Sequence, residues 1–121
     1  MEFKNQKPIY LQIADHICNM ILLGEYREDE RLPSVREFAA EVEVNVNTVT
    51  RTFEYLQLNE VVASRRGLGV YVMSGARERV YAMRRTEFFN VQLPEVFALM
   101  DTLGISMEEV ATQYDASRHA T

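Results

Sequence analysis

Cysteine occurs once, at Cys18, so no internal disulfide is possible. It stands among Ile17, Met20 and Ile21 and reads as a small core residue, not a nucleophile. Histidine occurs only as His16 and His119, and no His, Asp or Cys cluster has ligand spacing; neither a metal nor a cofactor is expected. No apolar run approaches the roughly 20 residues that span a bilayer. The opening residues 1–6 are polar and lack the apolar region of a signal peptide, which points to the cytoplasm. No glycine loop opens a helix, since Gly67-Leu68-Gly69 reads as a β-turn and not a nucleotide fingerprint. Nucleophilic catalysis needs a nucleophile with a base in reach, and neither is supplied, which argues against an enzyme. A basic total is also lacking, for the net charge is −5.

The distribution of that charge is more telling than its sum. Residues 1–30 carry net −3, and residues 86–121 carry net −5. Between them, residues 31–85 hold nine arginines against six glutamates, net +3. A basic excess confined to one stretch is an electrostatic footprint for nucleic acid. It is modest, so weak non-specific binding with strong salt dependence is expected. A length of 121 residues and an apolar share of 47% indicate an ordered chain with one domain, or one small domain with an appendage.

That basic stretch contains two short helices joined by a tight turn, over residues 32–51. Ser34 and Glu37 form a capping box ahead of Val35, Phe38, Ala39 and Val42, which make one apolar face. Glu43-Val44 is the whole turn, and Asn45 is a good N-cap for the second helix. That helix buries Val49, Phe53 and Leu56, so Asn45, Asn47, Thr48, Thr50 and Arg51 lie on its other face. Amides and a guanidinium suit base edges in a major groove, and hydroxyls suit phosphates. So short a turn forces a large crossing angle, as in a helix-turn-helix.

Before this unit, residues 1–7 read as a flexible lead-in, and Pro8 as part of the first turn of a helix. Ile9, Ile13, Ile17, Met20 and Ile21 form its core stripe, with Tyr10 and Ala14 beside it and Gly24 as its stop. Residues 25–31 read as a charged connector. After the unit, Val61, Val62 and Ala63 read as a strand, residues 64–69 as a basic turn, and residues 70–73 as the returning strand. Following a helix-turn-helix, such a hairpin is a wing, whose glycines let backbone approach a phosphate closely.

From Ala76 to about Asn90 the composition is helical. Pro94 opens another helix, closed by Gly104, and a second capping box at Ser106 and Glu109 starts a last one, with Ile105 and Val110 as a hydrophobic staple. Residues 117–121 are expected to fray. An arm this small cannot bury Phe88, Phe89, Leu93, Val96, Phe97, Met100, Leu103, Val110 and Tyr114 alone. Either they pack back on the first domain or, as the candidate homodimer contacts, they pair with the same arm of a second subunit. The expected fold is mainly α with a small β-hairpin: a winged helix-turn-helix over residues 1–74 and a short α-helical dimerisation arm over 75–121.

Pro8-Ile9-Tyr10-Leu11-Gln12-Ile13, Leu32-Pro33-Ser34-Val35-Arg36-Glu37, Val44-Asn45-Val46-Asn47-Thr48-Val49 and Arg66-Gly67-Leu68-Gly69-Val70-Tyr71-Val72 together resemble the GntR family of bacterial transcription regulators. The short helical arm is similar to that of the YtrA-type subfamily. The resemblance implies a cytoplasmic repressor that binds a palindromic double-stranded operator as a homodimer. It implies DNA contacts from Ser34 and Arg36, from Asn45, Asn47, Thr48, Thr50 and Arg51, and from Arg65, Arg66 and Gly67. Two departures stand out. Glu28-Asp29 replaces a usual Pro-Gly, so either Asp29 supplies that turn or the turn differs. Glu60 replaces a usual glycine before the wing, and Asn59 is expected to take the left-handed role. The arm is too short for the metabolite- or metal-binding domains of larger members. An unidentified small-molecule effector, held in a cleft beside the arm, stays open. A winged helix used for protein–protein contact without DNA is the alternative that the acidic total favours.

Overall fold

The computed structural model describes residues 7–119. The expected flexible lead-in, apart from Lys7, lies outside the described residues, as do Ala120 and Thr121. The elements run α1 (Ile9–Leu22), α2 (Val35–Val42), α3 (Val46–Leu58), β1 (Val62–Arg65), β2 (Gly69–Val72), α4 (Ala76–Glu87), α5 (Leu93–Leu103) and α6 (Met107–His119), with one π-helical turn at Phe88–Gln92. The chain forms two compact units that divide between Met83 and Arg84. The division falls later than the boundary at 74/75 because Ala76 and Val80 of α4 are buried in the first unit's core.

In the first unit, α1 buries Ile13, Ala14, Ile17, Cys18 and Ile21 along one face. Phe38 and Ala39 come from α2, and Val49, Thr52, Phe53 and Leu56 from α3. Phe38 and Phe53 meet edge-on with ring centroids 6.2 Å apart, a favoured aromatic geometry. Two expected core residues are exposed instead, Ile9 and Val42. Ile9 opens α1 and Val42 closes α2, so the periodic face runs past the core at both helix ends.

The α1 terminus is a Schellman motif around Gly24: the Glu25 N–H reaches the Met20 carbonyl and the Gly24 N–H reaches that of Ile21. The α3 terminus has the same hydrogen bonds, Val61 N–H to Leu56 and Glu60 N–H to Gln57. The left-handed residue there is therefore Glu60, at φ 59°, and not Asn59, at φ −91°. Asn59 still belongs to the helix end, where its Nδ2 donates to the Tyr55 carbonyl at 2.9 Å. Asp29 supplies its turn, at φ 67°. Glu43 caps α2 at φ 56°.

β1 and β2 pair antiparallel from Val62↔Val72 to Arg65↔Gly69. β1 starts one residue later than expected and ends two later, and β2 lies one residue earlier, so Ser64, Arg65 and Gly69 pair instead of turning. The charged connector ends as a third edge: the Asp29 N–H bonds the Val72 carbonyl, the Val72 N–H bonds that of Glu30, and the Leu32 N–H bonds that of Val70. Arg31 thereby bridges Tyr71.

In the second unit the expected break before Pro94 does not occur. Glu87 and Gln92 keep helical φ and ψ, and the Leu93 N–H reaches the Phe88 carbonyl five residues back. Pro94 lacks an N–H and sits at the start of α5, directly after this widened turn, where the ordinary ladder has already been interrupted. Gly104 ends α5 at φ 67°. The second capping box forms, with the Glu109 N–H on Ser106 Oγ at 3.1 Å and the Ser106 N–H on Glu109 Oε2 at 2.9 Å. α6 reaches His119, so Ser117 is helical and not frayed. No helix among the described residues is long and apolar enough to cross a membrane.

A left-handed non-glycine residue costs roughly 1–2 kcal/mol, and glycine gives back about 0.5–1 kcal/mol through unfolded-chain entropy. Glu60→Gly is therefore expected to stabilise by about 0.5–1 kcal/mol in urea denaturation. Asn59→Gly, at negative φ, should destabilise.

Acid will unfold the protein partly through two carboxylates. The Ser34 N–H, its hydroxyl and the charge of Arg31 hold Glu37 below the ordinary 4.5. The N–H groups of Gly75 and Arg77 do the same for Glu28. A depressed folded pKa stabilises fully above the unfolded value and is lost as pH falls through the folded one. Thermal melts of Glu37→Gln should fall less between about pH 6 and pH 3 than those of the wild type.

Candidate nucleic-acid interface

Helix α3 starts at Val46 because Asn45 Oδ1 accepts the Asn47 N–H at 2.7 Å, satisfying a donor the first turn cannot. Val49, Thr52, Phe53 and Leu56 turn inward, with Val49 and Leu56 both 0 % exposed. The opposite arc presents Asn45, Asn47 and Arg51 exposed, with Thr48 and Thr50 half-buried beside them. Rotation about α3 is set by Thr52, whose hydroxyl contacts the Tyr10 carbonyl at 2.7 Å and the Thr48 carbonyl at 3.2 Å.

These residues are not equally available. Thr50 Oγ1 donates to the Val46 carbonyl at 3.0 Å, so while that bond stands it offers a ligand lone pairs and no proton. Asn45 has spent its oxygen on the cap and keeps its N–H groups. The Arg51 guanidinium carbon lies 4.0 Å above the Tyr10 ring centroid, a cation–π contact that orients it without neutralising its charge. Tyr10 is itself propped edge-on by Tyr55, with centroids 6.4 Å apart. Asn47, Thr48 and Arg51 line an open groove of about 330 Å³ with Pro8, Ile9 and Tyr10.

At the start of α2, Ser34 Oγ accepts the Glu37 N–H and Glu37 Oε1 accepts the Ser34 N–H, both at 3.1 Å. Ser34 thus serves the capping box first. Arg36, the second residue of the helix, is exposed.

The wing tip is Arg66-Gly67-Leu68, closed by the Leu68 N–H on the Arg65 carbonyl at 2.8 Å. Gly67 has φ 76°, and an added Cβ would meet nothing within 4 Å, so backbone geometry alone favours glycine there. The two wing arginines differ. The Arg65 guanidinium lies over the Tyr71 ring at 4.1 Å, with Nη2 3.7 Å from Asp29 Oδ1. Arg66 is exposed at the tip, and among the described residues no acid pairs with it. The structure therefore brings Asn45, Asn47, Thr48 and Arg51 onto one helix face and leaves Arg66 and Gly67 open on the wing.

Three contributors escaped the sequence reading. Tyr10, beside the core stripe of α1, carries Arg51. Asp29 partly offsets Arg65. Arg31 reaches the wing, where its Nε would stand 2.9 Å from a Cβ on Gly69. Each pairing joins residues far apart in the chain, where periodicity carries no signal. Among the described residues, no group of three or more His, Cys, Asp or Glu is arranged to hold a metal ion.

Comparison with known proteins agrees with this geometry. Residues 9–72 match the family model described as bacterial regulatory proteins, gntR family. The helix-turn-helix-type transcriptional regulator YhcF of Bacillus subtilis is 34% identical over 109 residues, covering 90% of this chain and 88% of that protein. The transcriptional repressor YtrA of the same organism is 27% identical over 107 residues, covering 88% and 82%. A solved GntR-family transcriptional regulator from Bacteroides thetaiotaomicron superposes with TM-score 0.76 at 46% identity, covering 90% of this chain and 95% of that one. With the helix-turn-helix and wing in place and this agreement along nearly its whole length, the chain belongs to the gntR family of bacterial regulatory proteins and is a DNA-binding transcriptional regulator.

Proposed function

We propose that the protein is a cytoplasmic homodimeric repressor of a palindromic operator. The winged helix-turn-helix over residues 1–74, whose core also takes in the start of α4, reads the DNA, and the arm over 75–121 pairs the subunits through its part beyond Met83. The observation that carries this reading is the polar arc of exposed Asn47 and Arg51, with half-buried Thr48 beside them, on a helix whose other side is sealed in a core. Asn47 would bond a base edge, and Arg51 and Arg36 would bond phosphates. Arg66 and the Gly67 backbone would lie along the neighbouring minor groove, with Arg65 behind them. A two-fold dimer would place its recognition helices about one helical turn apart, or a multiple of it. The related YtrA is named a repressor, which supports the direction of control.

Base-edge and phosphate contacts make different expectations. Asn47→Ala should cost about 1–3 kcal/mol on an operator selected from random DNA and little on unrelated DNA. Arg66→Ala should weaken both alike and lower the salt slope by about one unit. Salt-titrated mobility-shift assays measure both. Full affinity in both variants, or wild-type binding indifferent to salt, would overturn the assignment.

The arm reading is supported by its exposed apolar surface. No residue from Arg84 to His119 is buried, and Phe88, Phe89, Val96, Phe97, Leu103 and Tyr114 are each more than two-fifths exposed. Leu93, Met100 and Val110 are half-buried within the same unit. Sedimentation at micromolar concentration should give a dimer. Phe97→Glu should weaken it at least about tenfold, roughly 1.4 kcal/mol, while leaving helical circular dichroism intact. A monomeric wild type would sink the reading.

A further inference from the structure

Residues 29–32 run beside β2 as a third edge of the hairpin, with Arg31 opposite Tyr71. Side chains alternate across a sheet, so the buried Leu32, Val62 and Val72 share its inner face. Arg31, Arg65, Gly69 and Tyr71 share the outer one. There Arg31 leans past Tyr71 onto Gly69. A Cβ on that glycine would stand 2.9 Å from Nε and 3.6 Å from Cδ and Cζ. Gly69 is thus the gap in which the Arg31 side chain lies across β2. Gly69 joins β2 to the wing tip, and Arg31 stands three residues before Ser34, the cap of α2. One guanidinium therefore lies between two elements assigned above to DNA, the wing tip with Arg66 and the α2 start with Arg36. All of these residues belong to the first unit.

Acids crowd around Arg31 in the sequence, yet each is committed elsewhere. Glu28 accepts the N–H groups of Gly75 and Arg77, at 2.7 and 3.2 Å. Asp29 Oδ1 lies 3.7 Å from Arg65 Nη2, and Glu30 Oε1 lies 4.0 Å from Arg27 Nε. Glu37, whose carboxylate feels the Arg31 charge, accepts the Ser34 N–H at 3.1 Å. Among the described residues, no acid forms an ion pair with Arg31. Arg31 is exposed, so its planar fork of donors is open to a ligand. Such a fork on a solvent-facing sheet matches the oxygens of a phosphate.

We infer that Arg31 is a further DNA-contacting residue, binding a backbone phosphate between those met by the wing tip and by the start of α2. The inference rests on the DNA assignment proposed above. A phosphate contact carries no base information, so Arg31 contributes affinity and register, not sequence preference.

The test uses the full-length protein and a duplex carrying one half-site selected from random DNA, with fluorescence anisotropy read across a salt titration. Arg31→Ala should weaken binding at least about threefold at fixed salt, alike on selected and unrelated DNA, and lower the salt slope by about one unit. Single phosphates of the duplex are then replaced, one at a time, by uncharged methylphosphonates. One replacement, distinct from the one matched to Arg66, should weaken the wild type at least about threefold and change Arg31→Ala binding by less than about twofold. Arg31→Gln removes the charge and keeps much of the stem; it should behave alike, and it carries the test if the alanine variant does not fold. If Arg31→Ala keeps full affinity and slope while Arg66→Ala loses both, the inference is overturned and the assignment above stands. A weakened Arg31→Ala that stays sensitive to every methylphosphonate also overturns it, since the charge then acts at a distance or through the fold. Wild-type binding indifferent to salt overturns both readings.

Discussion

Burial of one side of α3 is the constraint on which the rest of this protein depends. Val49, Phe53 and Leu56 are sealed against α1 and α2, and Thr52 is the buried polar residue among them. A buried hydroxyl without a partner costs about 1–3 kcal/mol, and Thr52 meets the Tyr10 carbonyl, so the helix has one low-energy rotation. Turning α3 by a single residue would carry Thr48 and Tyr55, or Thr50 and Gln57, towards the core in place of Val49 and Leu56. Display of the polar arc is a consequence of packing on the opposite side. The same contact brings the first turn of α1 alongside, where the Tyr10 ring receives Arg51.

The two units solve opposite problems. The first closes a core from three helices, a hairpin and the start of α4, and spends its surface on donors and guanidinium groups. The second has capped helices but, among its described residues, none that is buried, and it exposes aromatic and aliphatic side chains. Local order in the arm comes from Gly104 and the Ser106–Glu109 capping box. Apolar surface of this extent on an ordered helical segment is what an association surface looks like.

Acidic residues occupy three of the first unit's sharpest joints, Asp29, Glu43 and Glu60, each at positive φ. Each carries a local cost that glycine would not. Around them the backbone is over-determined: Schellman bonds enclose Glu60, the Ala39 carbonyl receives the Glu43 N–H, and Asp29 donates to the Val72 carbonyl. Tertiary pairing holds the backbone where intrinsic preference would not. Asp29 also bears on the wing, since its carboxylate faces Arg65 and leaves Arg66 as the uncompensated charge at the tip.

The sequence by itself determined the elements whose signals are local. The capping boxes at Ser34 and Ser106, the Asn45 N-cap, the Glu43-Val44 turn, the Gly24 and Gly104 stops and the inward face of α3 all follow from hydrogen bonds and periodicities within a few residues. These were enough to read the winged helix and the polar arc. Only the tertiary structure decided that Glu60 and not Asn59 reverses the chain, that residues 29–32 join the hairpin, and that the helix runs on through Pro94. It also decided that Tyr10 holds Arg51, that Thr50 spends its proton on its own helix, and that Glu28 caps α4. Apart from the Thr50 bond and the π turn, these depend on partners distant along the chain. A pattern confined to neighbouring residues cannot encode which remote donor or ring arrives, because that is set by how whole elements pack.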